Sequence, residues 1–180
     1  KYSKKRFSLI SGWGLNKWAK VNVITPNYLD ELINFIKKSD SESILVRGLG
    51  RSYGDAALID GKTIISMKKF NKIEVDSFKK TITVGAGITL REIIRKIVPK
   101  GFFLPVIPGT SNITVGGAVA SDIHGKNHYI DGSFGNHIKK ISLIDGMGKI
   151  QELSPLRKET KEIFWATIGG MGLTGVVFEV

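Results

Sequence analysis

The chain is 180 residues long and carries 27 Lys and Arg against 16 Asp and Glu, a net charge of +11. That length suits one domain or two small packed lobes, with enough buried surface to need no staples. The absence of cysteine excludes disulfides, thiolate metal sites and cysteine nucleophiles, and no apolar run approaches the roughly 18 residues that span a bilayer.

In chain order, 21–24 predicts a short strand. Thr25-Pro26 predicts a helix start, with Thr25 as N-cap and Pro26 at the first helical position, and Leu29, Leu32, Ile33 and Ile36 follow at helical spacing. Residues 44–46 form an apolar strand that runs into a Gly-rich loop over 47–61, and 63–66 form the next strand. Segments 72–76 and 81–84 alternate as a hairpin, broken by Gly85-Ala86-Gly87. Thr89 caps a second helix with Leu90, Ile93, Ile94 and Ile97 on one face, ended by Pro99 and Gly101. A Gly-rich, weakly periodic stretch follows over 105–135. Ile141 and Leu143 mark a strand, Asp145-Gly146 a turn, and Ile150 with Leu153 its partner. Residues 158–166 predict a short helix, and the chain closes on a glycine cluster and a strand over 175–180. A βαβ start followed by hairpins and helices predicts an α+β fold rather than a doubly wound parallel sheet.

The basic residues are thinly spread. Lys1-Tyr2-Ser3-Lys4-Lys5-Arg6, Lys68-Lys69, Lys79-Lys80 and Lys139-Lys140 are the densest groups, and they read as solvated element ends and turns. A nucleic-acid surface would interleave aromatic and basic residues, but Trp13, Trp18 and Trp165 are scattered. The first 18 residues lack the apolar stretch of a signal peptide, so a cytoplasmic location is expected, with peripheral contact to an acidic membrane compatible with the charge. The missing initiator Met and a final strand that stops without a turn read as a chain trimmed at both ends.

Twenty-one glycines are present, and their clustering is the main clue. The first cluster is Gly48-Leu49-Gly50-Arg51-Ser52-Tyr53-Gly54-Asp55, directly after a strand. Glycines let a backbone turn tightly and aim several N–H groups at one anion. A dinucleotide-binding βαβ unit fits badly, because Tyr53 stands where the third glycine belongs and no amphipathic helix follows; a strand-to-strand phosphate loop fits. The second cluster runs from Pro108-Gly109-Thr110 to Thr114-Val115-Gly116-Gly117-Ala118, with Thr114 as the cap of a short helix. The third is Gly169-Gly170-Met171-Gly172-Leu173-Thr174-Gly175. One such cluster is as well explained by a tight turn, but three suit an extended ligand with a pyrophosphate and a flat ring.

These runs resemble the FAD-binding domain of the vanillyl-alcohol-oxidase or PCMH-type flavoproteins. The similarity covers nearly the whole chain, including Arg47 to Ala57, Asp122-Ile123-His124-Gly125-Lys126-Asn127-His128, Gly132-Ser133-Phe134-Gly135-Asn136-His137 and Phe164-Trp165-Ala166-Thr167. Within the family the runs look most like the oxidases of polyprenyl-phosphate-linked pentoses, the oxidative half of an epimerisation completed by a reductase. The resemblance implies a two-lobed α+β domain, lobe one over about 1–70 and lobe two over about 71–180, incomplete at its C-terminus and without its substrate domain. Alone, such a fragment is expected to be inactive. The implied activity is hydride transfer from a sugar-like secondary alcohol to FAD, the flavin supplying the chemistry and the protein the positioning. By resemblance, Gly48, Leu49, Gly50, Arg51, Ser52, Tyr53 and Gly54 bind the pyrophosphate. Pro108, Gly109, Thr110, Thr114, Gly116, Gly117, Ile123, His124 and Gly125 line the flavin and ribityl chain, and Gly172, Gly175 and Val177 lie on the far side. Many members tether FAD through a His shortly after the first glycines. Arg51 stands in that region here, so non-covalent FAD is expected.

Three histidines are present: His124, His128 and His137. The His124-x-x-x-His128 spacing suits a metal only on a helix, and Gly125 and Asn127 argue against one, so no metal is expected. His124 is the candidate catalytic residue, orienting a substrate hydroxyl or supporting charge on reduced flavin rather than acting as general base; hydrogen bonding to loop backbone is the competing explanation. Tyr53 reads equally as a ring beside the adenine or as core, Lys126 as a solvated lysine before an anion ligand, and Phe164-Trp165 as core. Rival functions are an alditol or aldonolactone oxidase of the same fold, a basic nucleic-acid-binding module, and a flavin-free binding protein.

Overall fold

The computed structural model describes residues 7–39 and 44–180; the basic run at 1–6 lies outside the described residues. Alternation along Trp18–Ile24 (β2) sends Ala19 and Val21 inward and leaves Trp18 and Lys20 exposed. The strand extends three residues further toward the N-terminus than 21–24, because it pairs antiparallel with an edge strand, Phe7–Ser11 (β1). Ile44–Arg47 (β3) and Thr63–Ser66 (β4) complete a sheet of order β1-β2-β4-β3, with β4 parallel to both neighbours.

The helix between β2 and β3, Leu29–Lys38 (α1), starts later than expected. Tyr28 is its N-cap and no side chain caps it there. Thr25 is therefore not the cap. Pro26 is buried in the preceding segment, and the Glu31 carboxylate instead accepts the Asn27 backbone N–H at 2.7 Å. That bond reaches back to the segment before the helix and leaves the helix start without a side-chain cap.

Ile73–Asp76 (β5) and Thr81–Val84 (β6) form the hairpin. Ile141–Ile144 (β7) lies between Ile150–Leu153 (β8) and Val176–Glu179 (β9), antiparallel to both. Reciprocal bonds between Val84 and Val180, at 2.8 and 2.9 Å, and one from Ala86 N–H to Phe178 O at 2.9 Å join β6 to β9. The second half of the chain thus makes one edge-to-edge antiparallel surface.

Helix Leu90–Ile97 (α2) is held by a full capping box: the Thr89 hydroxyl accepts the Glu92 N–H while the Glu92 carboxylate accepts from Thr89. Its apolar stripe, Leu90, Ile93 and Ile97, packs with Val115 and Val119 of Val115–Ala120 (α3), with β7 and β9, and with Phe164 of Lys161–Thr167 (α5). That last helix starts three residues later than 158, since a turn returning to the Arg157 carbonyl precedes it. A second core joins the two sheets: Leu32 and Ile36 of α1 bury with Ile65 and Met67 on one side and Ile144 and Val176 on the other. No helix among the described residues is long and apolar enough to cross a membrane.

Candidate functional site

The three glycine clusters converge on the short helix α3. At its start the Thr114 hydroxyl accepts the Gly117 N–H at 3.3 Å. The same hydroxyl fills the space a side chain on Gly48 would need, so only glycine lets the first cluster approach here. Gly116 lies so close to Ala86 that an added Cβ would sit 3.1 Å from the Ala86 Cβ. At the other end of the helix, Gly169 N–H donates to Val119 O at 2.9 Å and Met171 N–H to Ala120 O at 2.8 Å. Clusters separated by more than fifty residues in sequence therefore meet within one helix length.

The first loop is built to present its backbone. Gly50 and Gly54 both have φ of +64°, a left-handed geometry that reverses the direction of the flanking amides. Among the described residues, no protein acceptor takes the N–H groups of residues 49 through 54. Gly50 is nevertheless buried. Runs of unmatched amides next to left-handed residues form anion-binding concavities, and a buried amide without a partner is costly unless something supplies the acceptor. Beneath the loop, Arg47 donates to Ala57 O at 2.7 Å and to Ser11 O at 2.6 Å. Burial pulls its pKa below the ordinary arginine value, yet a guanidinium stays charged at neutral pH. No carboxylate pairs with it among the described residues. Arg51 stacks on the Trp13 ring, 4.4 Å from its centroid. Two cations and a row of open amides thus fit a diphosphate.

Tyr53 is 84 % exposed, which removes the core alternative for that ring. Leu49 is also exposed. No heavy atom stands within 4 Å of the Cβ direction at Gly54, Gly109 or Gly172, so these glycines face open space.

A separate open cleft of about 760 Å³ lies between 103–109 and 124–128, lined by Pro108, Gly109, His124, Gly125 and Lys126 among others. Its two walls are tied together. Asn127 donates to Pro105 O at 3.0 Å, and Gly125 backs so closely on Ile107 O that a Cβ would lie 2.8 Å away. His124 precedes the short helix His128–Asp131 (α4) rather than lying on it. Its ring meets His128 edge-on at 5.2 Å between centroids, and its Nδ1 lies 3.4 Å from Gly125 O. Among the described residues, no three His, Asp or Glu side chains gather as metal ligands.

The structure thus brings Gly48 to Thr114, and Pro108 and Gly109 to His124 and Gly125. Ile123 anchors to Ala118 O through its N–H at 3.1 Å. It does not bring the Val177 side chain to the cleft: Val177 is 8 % exposed and sits in the core beneath α3. The sequence reading overlooked the turn between β1 and β2, where Trp13 and Lys17 touch the first loop; Gly12-Trp13-Gly14 was the available signal.

With this geometry in place, comparison with known proteins decides the family. A family model described as FAD binding domain matches residues 21–154. The chain belongs to this FAD-binding family. It is 38 % identical to the decaprenylphosphoryl-beta-D-ribose oxidase of Mycolicibacterium smegmatis over 172 residues, 93 % of this chain and 37 % of that protein. It is 30 % identical to bovine L-gulonolactone oxidase over 148 residues, 81 % and 32 % of the respective chains. Cytokinin dehydrogenase 2 of Arabidopsis thaliana is 26 % identical over 134 residues, 74 % and 26 % of the chains. The chain spans about a third of the length of these relatives. In family terms it is a PCMH-type α+β domain whose cofactor is FAD.

Proposed function

We propose that this chain is the FAD-holding part of an oxidoreductase acting on a CH–OH group. The observation that carries the reading is the loop at 49–54, whose open amides and flanking Arg47 and Arg51 match a diphosphate. In this reading residues 48–54 hold the diphosphate. Pro108, Gly109, Thr110, Thr114, Gly116, Gly117, Ile123, His124 and Gly125 line the flavin and ribityl side, and Gly172, Gly175 and Val177 lie opposite, Val177 through its main chain. The boundary between the two halves falls near residue 70, between β4 and β5.

When bound, FAD supplies the redox chemistry, acceptance of a hydride from the carbinol carbon. The chain's own contribution is electrostatic and positional. Backbone N–H groups and two guanidinium charges offset the diphosphate without rearranging on binding. Tyr53 and Leu49 are exposed side chains of the same loop. At the cleft, the tautomer with Nδ1–H directed to Gly125 O would leave Nε2 to accept from a substrate hydroxyl, and in this reading His124 orients that hydroxyl. The likeness to the decaprenylphosphoryl-ribose oxidase favours a lipid-phosphate-linked sugar as substrate, with a reductase completing an epimerisation. A net charge of +11 suits such an anion and a peripheral position on an acidic membrane. An aldonolactone-type oxidation is the second reading, supported by the likeness to L-gulonolactone oxidase.

FAD is held without a histidyl or cysteinyl bond at this loop, because 48–54 contains neither residue and Arg51 stands where a tethering His would be expected. The test is a visible spectrum of the full-length protein followed by acid precipitation. Flavin absorbance that passes to the supernatant is expected. Flavin in the pellet would keep the family and remove the non-covalent assignment, and no flavin after adding FAD would remove the reading itself.

A further inference from the structure

Among the described residues the N–H groups of 49–54 make no hydrogen bond that would hold the loop in shape, and three glycines between 48 and 57 make its disordered form entropically favourable. Arg47 closes its neck on Ala57 O, Leu58 N–H closes its end on Asp55 O, and Gly48 rests on Thr114. Four further contacts all come from one neighbour, the turn that joins β1 to β2. Arg47 donates to Ser11 O at 2.6 Å, the carbonyl at the end of β1. Gly12 is buried against the loop, so close that a Cβ would stand 2.6 Å from Gly54 O. The Trp13 ring lies 4.4 Å from the Arg51 guanidinium carbon. Lys17 pairs with Asp55 at 2.6 Å. The contacts fall at positions 47, 51, 54 and 55 of the loop and leave the amides between them open.

We propose that the Gly12–Lys17 turn is a clamp that holds the cofactor loop in its amide-open form, and that Trp13 and Lys17 are positioning residues for FAD. The proposal rests on the reading that residues 48–54 take the diphosphate. Trp13 and Lys17 act on the loop, not on the cofactor. Trp13 keeps Arg51 laid across an aromatic face, so the guanidinium charge stays beside the amides without a carboxylate to neutralise it. Lys17 holds the far shoulder of the loop through Asp55. The mutual effect is visible in both partners, since Asp55 is held below the ordinary carboxylate range by Lys17 and Lys17 is raised by Asp55. Both contacts are solvent-exposed and individually weak; together they restrict the loop at two points on either side of Gly54. The β1 edge strand, which carries few buried side chains of its own, gains a reason to be present.

The test uses full-length apoprotein titrated with FAD, followed by flavin fluorescence. Trp13→Ala and Lys17→Glu are each expected to weaken FAD binding about 3-fold, and the pair about 10-fold, with the apoprotein unfolding temperature unchanged. Trp13→Phe keeps a ring under Arg51 and binds within about 2-fold of wild type. The charge swap Lys17→Asp with Asp55→Lys restores what Lys17→Glu loses. Amide exchange of the apoprotein rises over 48–57 and stays at wild-type level in α2. A Trp13→Ala, Lys17→Glu double variant that binds FAD like wild type overturns the clamp, as does weakened binding that tracks a lower unfolding temperature and is not rescued by the swap. Gly48→Ala separates the two layers of the argument. If it weakens FAD binding while the clamp variants do not, the clamp alone fails; if it too binds like wild type, the loop is not the diphosphate site and the clamp falls with that reading.

Discussion

Single residues in the loop carry more constraint than their size suggests. Gly50 illustrates it: its φ of +64° is strained for any side chain, and a Cβ there would run into the Arg47 guanidinium. Arg47 in turn bonds Ala57 O and Ser11 O, so displacing it opens the neck of the loop and detaches it from β1. Gly50→Ala is therefore expected to lower stability by about 1–2 kcal/mol from the backbone alone and to weaken FAD binding at least tenfold. A urea titration and an FAD titration on the same full-length variant check the two halves. Loss of stability with full FAD affinity would show that the amides of 49–54 are not what the cofactor reads. At this scale the sequence was informative about glycine positions and silent about partners. It marked 48–54 as a phosphate loop, but nothing in its spacing tells that Thr114 sits against Gly48 or that Trp13 lies under Arg51, because both contacts are made across distant segments.

Elements were legible where the local signal agrees with the tertiary environment. The alternation at β5 and β6, the Thr89 start and Gly101 stop of α2, and the Thr114 cap of α3 all appear where the sequence places them. Gly101 ends the 3₁₀ turn after α2 in the left-handed conformation that a non-glycine resists. Two elements were not legible for stated reasons. The α1 start was misread because Thr25-Pro26 imitates a cap, whereas the helix begins at Leu29 with no side-chain cap. Strand β1 was missed because its side chains alternate weakly and its pairing with β2 is what makes it a strand. The capping box of α2 yields an element-scale prediction. Glu92 is held below the ordinary glutamate range, chiefly by the Thr89 side chain and then by its backbone N–H. A depressed carboxylate contributes stability that is full above the unfolded pKa, about 4.3, and is lost as pH falls through the lower folded value. Thr89→Ala should cost about 1 kcal/mol at neutral pH. Glu92→Gln keeps the shape of the box without the charge, so its deficit relative to wild type should shrink on going from neutral pH to about pH 3. Denaturant unfolding of both proteins across that range tests the sign; a deficit that grows on acidification would reject the assignment.

Across the whole molecule, the decisive feature is that the two sheets share a core. Leu32 and Ile36 of α1 do not simply cover the sheet they precede; they pack against Ile65 and Met67 and also against Ile144 and Val176 from the end of the chain. The glycine clusters come from both halves as well, the first following β3 and the third preceding β9, so the geometry between them is only as fixed as this junction. An independent pair of lobes would let the first loop drift relative to α3, and the contact of Gly48 with Thr114 would be lost. Leu32 is fully buried, and removing its side chain leaves a cavity at the junction rather than within one half. Leu32→Ala should therefore cost about 2–5 kcal/mol and do so in a single cooperative transition. Its hydrogen-exchange signature should rise together in β4 and in β7 and β9. FAD affinity should fall too, although Leu32 lies in α1 and the loop begins only after β3, because the variant loosens the frame in which the clusters meet. If exchange rises in β4 alone and FAD affinity is kept, each half holds its own part of the site, and the shared core is a packing contact without a role in positioning the cofactor.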